Sequence, residues 1–193
     1  MKVVIGSDHA GFQLKNAMGV LLTSLGHQVV DVGAYNENPS DYPDFAEAVG
    51  KAVLDGRAER GVLICGSGVG ATVAANKVRG IRAGMCTDTY SAHQGVEHDN
   101  INVLVLGSRI TGEKVAEELV RSYMGAKFTN EERHVRRLAK VQAPMEQRLQ
   151  LYHQRIAELE RELAAKGQEN RDLIEAKIVL TRKRLEAEQG KSG

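Results

Sequence analysis

The chain has 193 residues, 42% of them apolar and 26% charged, which is enough for one domain with a proper core and too apolar for a disordered segment. Its 26 basic and 25 acidic side chains leave a formal charge of +1, and with no Trp and 4% aromatics it lacks the basic surplus and stacking rings of a nucleic-acid binder. The longest uncharged run, residues 61–76, spans 16 positions rich in Gly, Ser and Thr, too short and too polar to cross a bilayer.

In chain order, polar residues at Ser7, Asp8 and His9 interrupt the amino-terminal apolar run too early for the core of a secretory signal, which makes the cytoplasm the expected location. Short β-branched runs predict strands over residues 3–5, 28–32, 61–64, 82–86 and 102–106. Between them, helical spacing predicts helices over 12–25, 45–54, 69–78, 91–96 and 113–124. Five strands in strict alternation with helices point to an α/β fold, an open, doubly wound parallel sheet. Such sheets bind ligands beyond the carboxyl ends of their strands, where strand order reverses.

The composition changes at Pro144. Residues 145–193 carry 10 basic and 9 acidic side chains but only 3 of the 20 glycines, so domains are expected at 1–144 and 145–193. In the second, Leu149, Tyr152, Ile156, Leu159 and Leu163 recur at spacings of three and four, the stripe of an amphipathic helix. Gly167 interrupts it, and Ile174, Ile178 and Leu185 mark a second helix. A helical hairpin, folded on itself, on the domain or on a partner chain, is the expected form of this extension.

Two strand ends carry loops with chemical potential. One is Gly6-Ser7-Asp8-His9-Ala10-Gly11-Phe12, which puts an acid and an imidazole after the first strand. The other is Cys65-Gly66-Ser67-Gly68-Val69-Gly70, whose glycines let successive backbone N–H groups converge on an anion or simply permit tight packing. Lys77 comes too late for the phosphate-binding pattern of nucleotide hydrolases. A thiol among converging donors at a helix start serves as base or nucleophile, and the alternative for Cys65 is a small apolar side chain finishing a strand. For Cys86, followed by no glycine loop, that alternative is preferred. His98, in Glu97-His98-Asp99-Asn100, is expected in a loop before the fifth strand, where it can exchange protons near neutral pH. No set of ligands has metal-binding spacing. Arg109 and the cluster of Arg133, His134, Arg136 and Arg137 offer paired hydrogen bonds suited to a phosphate.

Taken together, these two loops, Asp41-Tyr42-Pro43, Ala74-Ala75-Asn76-Lys77 and Arg133-His134 resemble the type B ribose-5-phosphate isomerases, a family that also includes galactose-6-phosphate and allose-6-phosphate isomerases. The resemblance runs in order over residues 1–138. It implies a three-layer αβα sandwich with a five-stranded parallel sheet, assembled as a homodimer or a dimer of dimers with active sites shared between chains. It further implies that Cys65 is the base moving a proton between C1 and C2 of a phosphorylated sugar, with Ser67 beside it and Gly66, Gly68 and Gly70 supplying N–H donors to an enediolate. By the same resemblance His98 opens the sugar ring, Asp8, His9 and Tyr42 bind the sugar, and Arg109, Arg133 and Arg137 clamp the phosphate. No metal or organic cofactor is implied. Aldose–ketose isomerisation needs this set: a proton-shuttling base, donors for the enediolate and a fixed phosphate.

The chain departs from the family pattern twice. Asp99 stands where the family often has an amide contacting the sugar, so either Asn100 makes that contact or the preferred sugar differs. Glu131 and Glu132 stand where glycines are common, and their charge opposes a phosphate unless they point away. Ribose 5-phosphate is the expected substrate; the alternatives are another sugar phosphate, of six or four carbons, or a non-catalytic phosphosugar-binding scaffold.

Overall fold

The computed structural model describes residues 1–165 and 171–190. Strand β1 (Lys2–Ser7) carries Val3, Val4 and Ile5, all wholly buried, as a strand covered on both faces requires. It is joined through a short 3-10 turn and α1 (Phe12–Ser24) to β2 (Gln28–Asp31), and α2 (Tyr42–Leu54) leads on to β3 (Arg60–Cys65). Next come α3 (Val69–Ala75), β4 (Ala83–Met85), α4 (Thr89–Asp99), β5 (Val103–Gly107) and α5 (Glu113–Gly125). The strands form one parallel sheet in the order β2-β1-β3-β5-β4.

The period-two alternation of the strands divides the core. Val3, Ile5, Val62, Ile64, Leu104 and Leu106 face α1, α4 and α5 through Met18, Leu22, Val96, Leu119 and Tyr123. Val4, Leu63, Val103 and Val105 face α2 and α3 through Ala46, Val49, Ala71 and Ala75. This is the expected three-layer arrangement. At each fully buried Leu, Ile or Val the burial is worth roughly 1.5–3 kcal/mol. Because α1 leaves β1 on one face and α3 leaves β3 on the other, order reverses between these adjacent strands, and their carboxyl ends are where sheets of this kind take ligands.

Some elements are longer than their hydrophobic spacing predicts, and turn chemistry explains it. Helix α2 starts at Tyr42 because Pro43 occupies its first turn, where a missing N–H costs nothing. Helix α4 starts at Thr89 because Asp88 caps it, accepting from the Ser91 N–H at 2.8 Å. It runs on until Asn100 turns left-handed at φ 50°, so His98 lies on its last turn and not in a loop.

Contacts divide the chain into Met1–His134 and a second unit beginning at Val135. Helix α6 (Glu132–Ala165) extends without interruption through Pro144, and α7 (Arg171–Gly190) follows. Within the second unit Leu159 packs with Ile174 and Ile178, flanked by Leu163, and Arg182 pairs with Glu160 at 2.6 Å. These contacts make a hairpin of the two helices along part of the predicted stripe, and Leu149 and Leu185 are also buried. Gly167 lies outside the described residues.

Candidate active site

At the carboxyl ends of β1, β3 and β5, backbone groups lace three loops together. Cys65, the last residue of β3, is 4% exposed, and its carbonyl accepts from the Ser108 N–H at 2.8 Å. The Arg109 N–H donates to the Gly66 carbonyl at 2.9 Å, and the Ser108 hydroxyl donates to the Ala10 carbonyl at 2.7 Å. The loop then doubles back at Gly68, whose φ of 85° brings its N–H to within 3.2 Å of Cys65 Sγ. This return passes so close to β5 that a Cβ on Gly107 would stand 2.5 Å from the Ser67 carbonyl oxygen. Ser67 itself is exposed, its hydroxyl oxygen 3.4 Å from the Val69 N–H.

Around this loop stand the other expected ligands. The Asp8 carboxylate is buried and accepts from the Gly11 N–H at 3.0 Å. The His9 N–H donates to Ser40 Oγ at 3.0 Å, and its Nδ1 lies 3.1 Å from both backbone N and O of Ser40. The Tyr42 ring covers Gly70 so closely that a Cβ there would lie 2.8 Å from it. The Arg109 side chain crosses Gly66. The other cysteine is unlike Cys65: burial pushes the Cys86 thiol up to about 11, which keeps it protonated as an apolar filler.

A second cluster forms at the opposite, amino ends of the strands. His98 Nδ1 lies 2.8 Å from Gln94 Nε2, one helical turn earlier. Its ring meets the ring of His134 edge-on, with centroids 4.1 Å apart. His134 is 1% exposed, and neither of its ring nitrogens has a hydrogen-bond partner among the described residues. Arg133 pairs through Nε with Glu131 at 2.8 Å, and the same carboxylate oxygen lies 4.0 Å from His134 Nε2. Thr129 ties this segment to α4, its N–H and hydroxyl both donating to the Glu97 carbonyl at 3.1 and 3.0 Å. Arg82 Nε holds the Asn100 carbonyl at 2.6 Å, while Asp99 is exposed. Arg137, also exposed, belongs to the second unit.

The sequence-predicted residues thus fall into two groups. Asp8, His9, Tyr42, Cys65, Gly66, Ser67, Gly68, Gly70 and Arg109 gather at the carboxyl end, and His98, Asp99, Asn100 and Arg133 at the amino end. Between Gly61, level with Val103 at the start of β5, and Cys65, level with Gly107, the strand rises roughly 13 Å. Sequence reasoning missed Ser40, Gln94 and the burial of His134. Gln94 was findable, because it lies four residues before His98 once α4 is known to continue that far. Ser40 carries no local signal. Among the described residues no group of three His, Cys, Asp or Glu side chains could hold a metal ion, and no helix is long and apolar enough to cross a membrane.

Residues 3–141 match the ribose/galactose isomerase family. The chain is 41% identical over 147 residues to ribose-5-phosphate isomerase B of Escherichia coli (strain K12), covering 76% of this chain and 97% of that protein. It is 40% identical over 130 residues to the D-erythrulose-4-phosphate isomerase of Pectobacterium atrosepticum, covering 66% of this chain and 85% of that one. The structure of ribose-5-phosphate isomerase B from Clostridium thermocellum superposes with a TM-score of 0.74 at 41% identity, covering 76% of this chain and 99% of that one.

Proposed function

The chain belongs to the ribose/galactose isomerase family and is a sugar-phosphate isomerase; from that premise we propose that it interconverts ribose 5-phosphate and ribulose 5-phosphate through an enediolate. The observation that carries this reading is the Cys65 sulfur, set at the switch point of the sheet and accepting the Gly68 N–H. As base, the Cys65 thiolate takes the proton from C2 of the open-chain aldose and returns it to C1, while the O2 hydroxyl proton passes to O1. In the enediolate between these steps the developing oxygen charge is met by backbone N–H groups of the glycine loop, beside the Ser67 hydroxyl. Asp8, His9 and Tyr42 bind the sugar, and Arg109 and Arg133 hold the phosphate, with Arg137 assigned by the resemblance alone. His98 opens the furanose ring.

Ring opening and proton transfer act on neighbouring atoms of one substrate, and each catalytic group must come within about 3 Å of its proton. Cys65 and His98 of the same chain lie a strand length apart, so we infer that a site takes Cys65 from one chain and His98 from a second copy. This supports a homodimer with two shared sites. Replacing Cys65 by Ala is expected to lower kcat/KM by about 10²–10⁴ while leaving binding of ribose 5-phosphate detectable by calorimetry, and a C65A enzyme as active as the parent would overturn the assigned role.

Asp99 favours a second reading, in which the sugar differs. An ionised carboxylate accepts but cannot donate, so a hydroxyl contacting it must supply the proton. Comparing kcat/KM on tetrose, pentose and hexose phosphates decides between the readings, with ribose 5-phosphate expected to be turned over best.

A further inference from the structure

Glu131 does not point away from the arginine beside it. Its Oε2 lies 2.8 Å from Arg133 Nε and 4.0 Å from Nε2 of the buried His134, whose ring nitrogens have no hydrogen-bond partner among the described residues. A guanidinium edge next to an unsatisfied buried imidazole is a setting for an anion, and here the chain's own carboxylate stands in it. Glu132, by contrast, lies in the first turn of α6, where an acidic side chain complements the positive end of the helix. The two glutamates therefore do different work.

We propose that Glu131 is an internal competitor for the phosphate site, so that the phosphate of an incoming substrate must displace its carboxylate from Arg133. The inference rests on the assignment of Arg133 to the phosphate. Displacement is feasible because the Glu131 backbone is fixed, its carbonyl accepting the His134 N–H at 2.9 Å, while its side chain is half exposed and free to turn out. Competition at this end of the ligand weakens every phosphate-bearing molecule by the same factor, whatever sugar it carries, and leaves proton transfer at Cys65 alone.

The test uses the full-length protein at fixed ionic strength, measuring KM and kcat for ribose 5-phosphate and Ki for inorganic phosphate. In Glu131→Gln both KM and Ki are expected to fall by a common factor of about three to five, the scale of an exposed ion pair, with kcat changed less than twofold. In an Arg133→Met background the same substitution is expected to have no effect on either constant. The proposal is overturned if Glu131→Gln leaves both constants unchanged, or moves KM without Ki. If Arg133→Met alone leaves KM and Ki unchanged, it is the phosphate assignment that fails. If Arg133→Met raises both while Glu131→Gln does nothing, that assignment stands and the competitor role alone is lost.

Discussion

At the carboxyl end of the sheet the Cys65 loop is held by main-chain hydrogen bonds to Ser108 and Arg109 and by a backbone approach that only Gly107 allows, whereas at the amino end His98 and Arg133 are held by side chains. Gln94 and His134 contact His98, Glu131 contacts Arg133, and Thr129 ties the segment to the Glu97 carbonyl, while Arg133 is half exposed. Under the proposed roles, the difference follows from what each end must hold. Proton transfer needs donors fixed within a fraction of an ångström, which backbone in a packed loop provides. At the amino end, where under the proposed roles His98 opens the ring and Arg133 meets the phosphate, longer, rotatable side chains can close on the ligand when it arrives.

The largest effect separates the two ends altogether. Cys65→Ala and His98→Gln are each expected to lower kcat/KM by about 10²–10⁴, the usual worth of a positioned acid or base. Mixing the two inactive proteins, after unfolding and refolding together, is expected to restore about a quarter of wild-type activity, because half of randomly paired dimers are hybrids with one intact site each. Activity that stays at the level of the single variants would place both groups in the same chain's site and break the division.

Next in size is the packing of the carboxyl end. Gly107→Ala puts a methyl group against the Ser67 carbonyl where 2.5 Å is available, so loop and strand must part. The expected cost is about 3 kcal/mol in urea unfolding, with kcat falling more than KM changes. A variant as stable and active as the parent would show that the loop is not rigid.

How much of this was legible beforehand depends on the kind of interaction. The sheet could be read because buried parallel strands are written as continuous apolar runs, and Val3 to Ile5 or Val103 to Leu106 have no other plausible reading. The Cys65 loop could be read because its glycines mark a backbone need. The end of α4 could not, since its stop depends on Asn100 adopting a left-handed turn and its start on the Asp88 cap, neither of which interrupts hydrophobic spacing. The separation of His98 from Cys65 was legible in outline, since in a parallel sheet a residue that ends one strand and a residue that precedes another lie at opposite ends; only its partners, Gln94 and His134, needed the folded chain. Pro144 misled for a related reason, because composition changes there while the α6 backbone does not.

Cys86 sharpens the contrast between two cysteines at one end of the sheet. Its folded thiol ionises near 11 against an ordinary 9.0, so its contribution to stability is full below pH 9 and is lost as pH rises towards 11, by up to about 2 kcal/mol. Cys86→Ala is expected to flatten this part of the pH profile of the urea midpoint. Tyr123, also shifted upward by burial, keeps a residual slope above pH 10 in the same direction.

The smallest expected effect tests the amino end. Thr129→Val keeps shape and the backbone N–H donated to Glu97 but removes the hydroxyl hydrogen bond at 3.0 Å. Because the group is exposed, the loss of stability should be about 0.5–1 kcal/mol. The tether it loosens joins the segment that carries Arg133 to α4, where His98 keeps its Gln94 partner on the same helix, so phosphate binding is the step it touches first. KM for ribose 5-phosphate is therefore expected to rise about twofold with kcat unchanged, since the proton-transfer loop at the far end of the strands shares no contact with Thr129. If kcat fell in proportion instead, the tether would be positioning His98 for ring opening as well as Arg133 for the phosphate, and the restriction of Thr129 to binding would have to be given up.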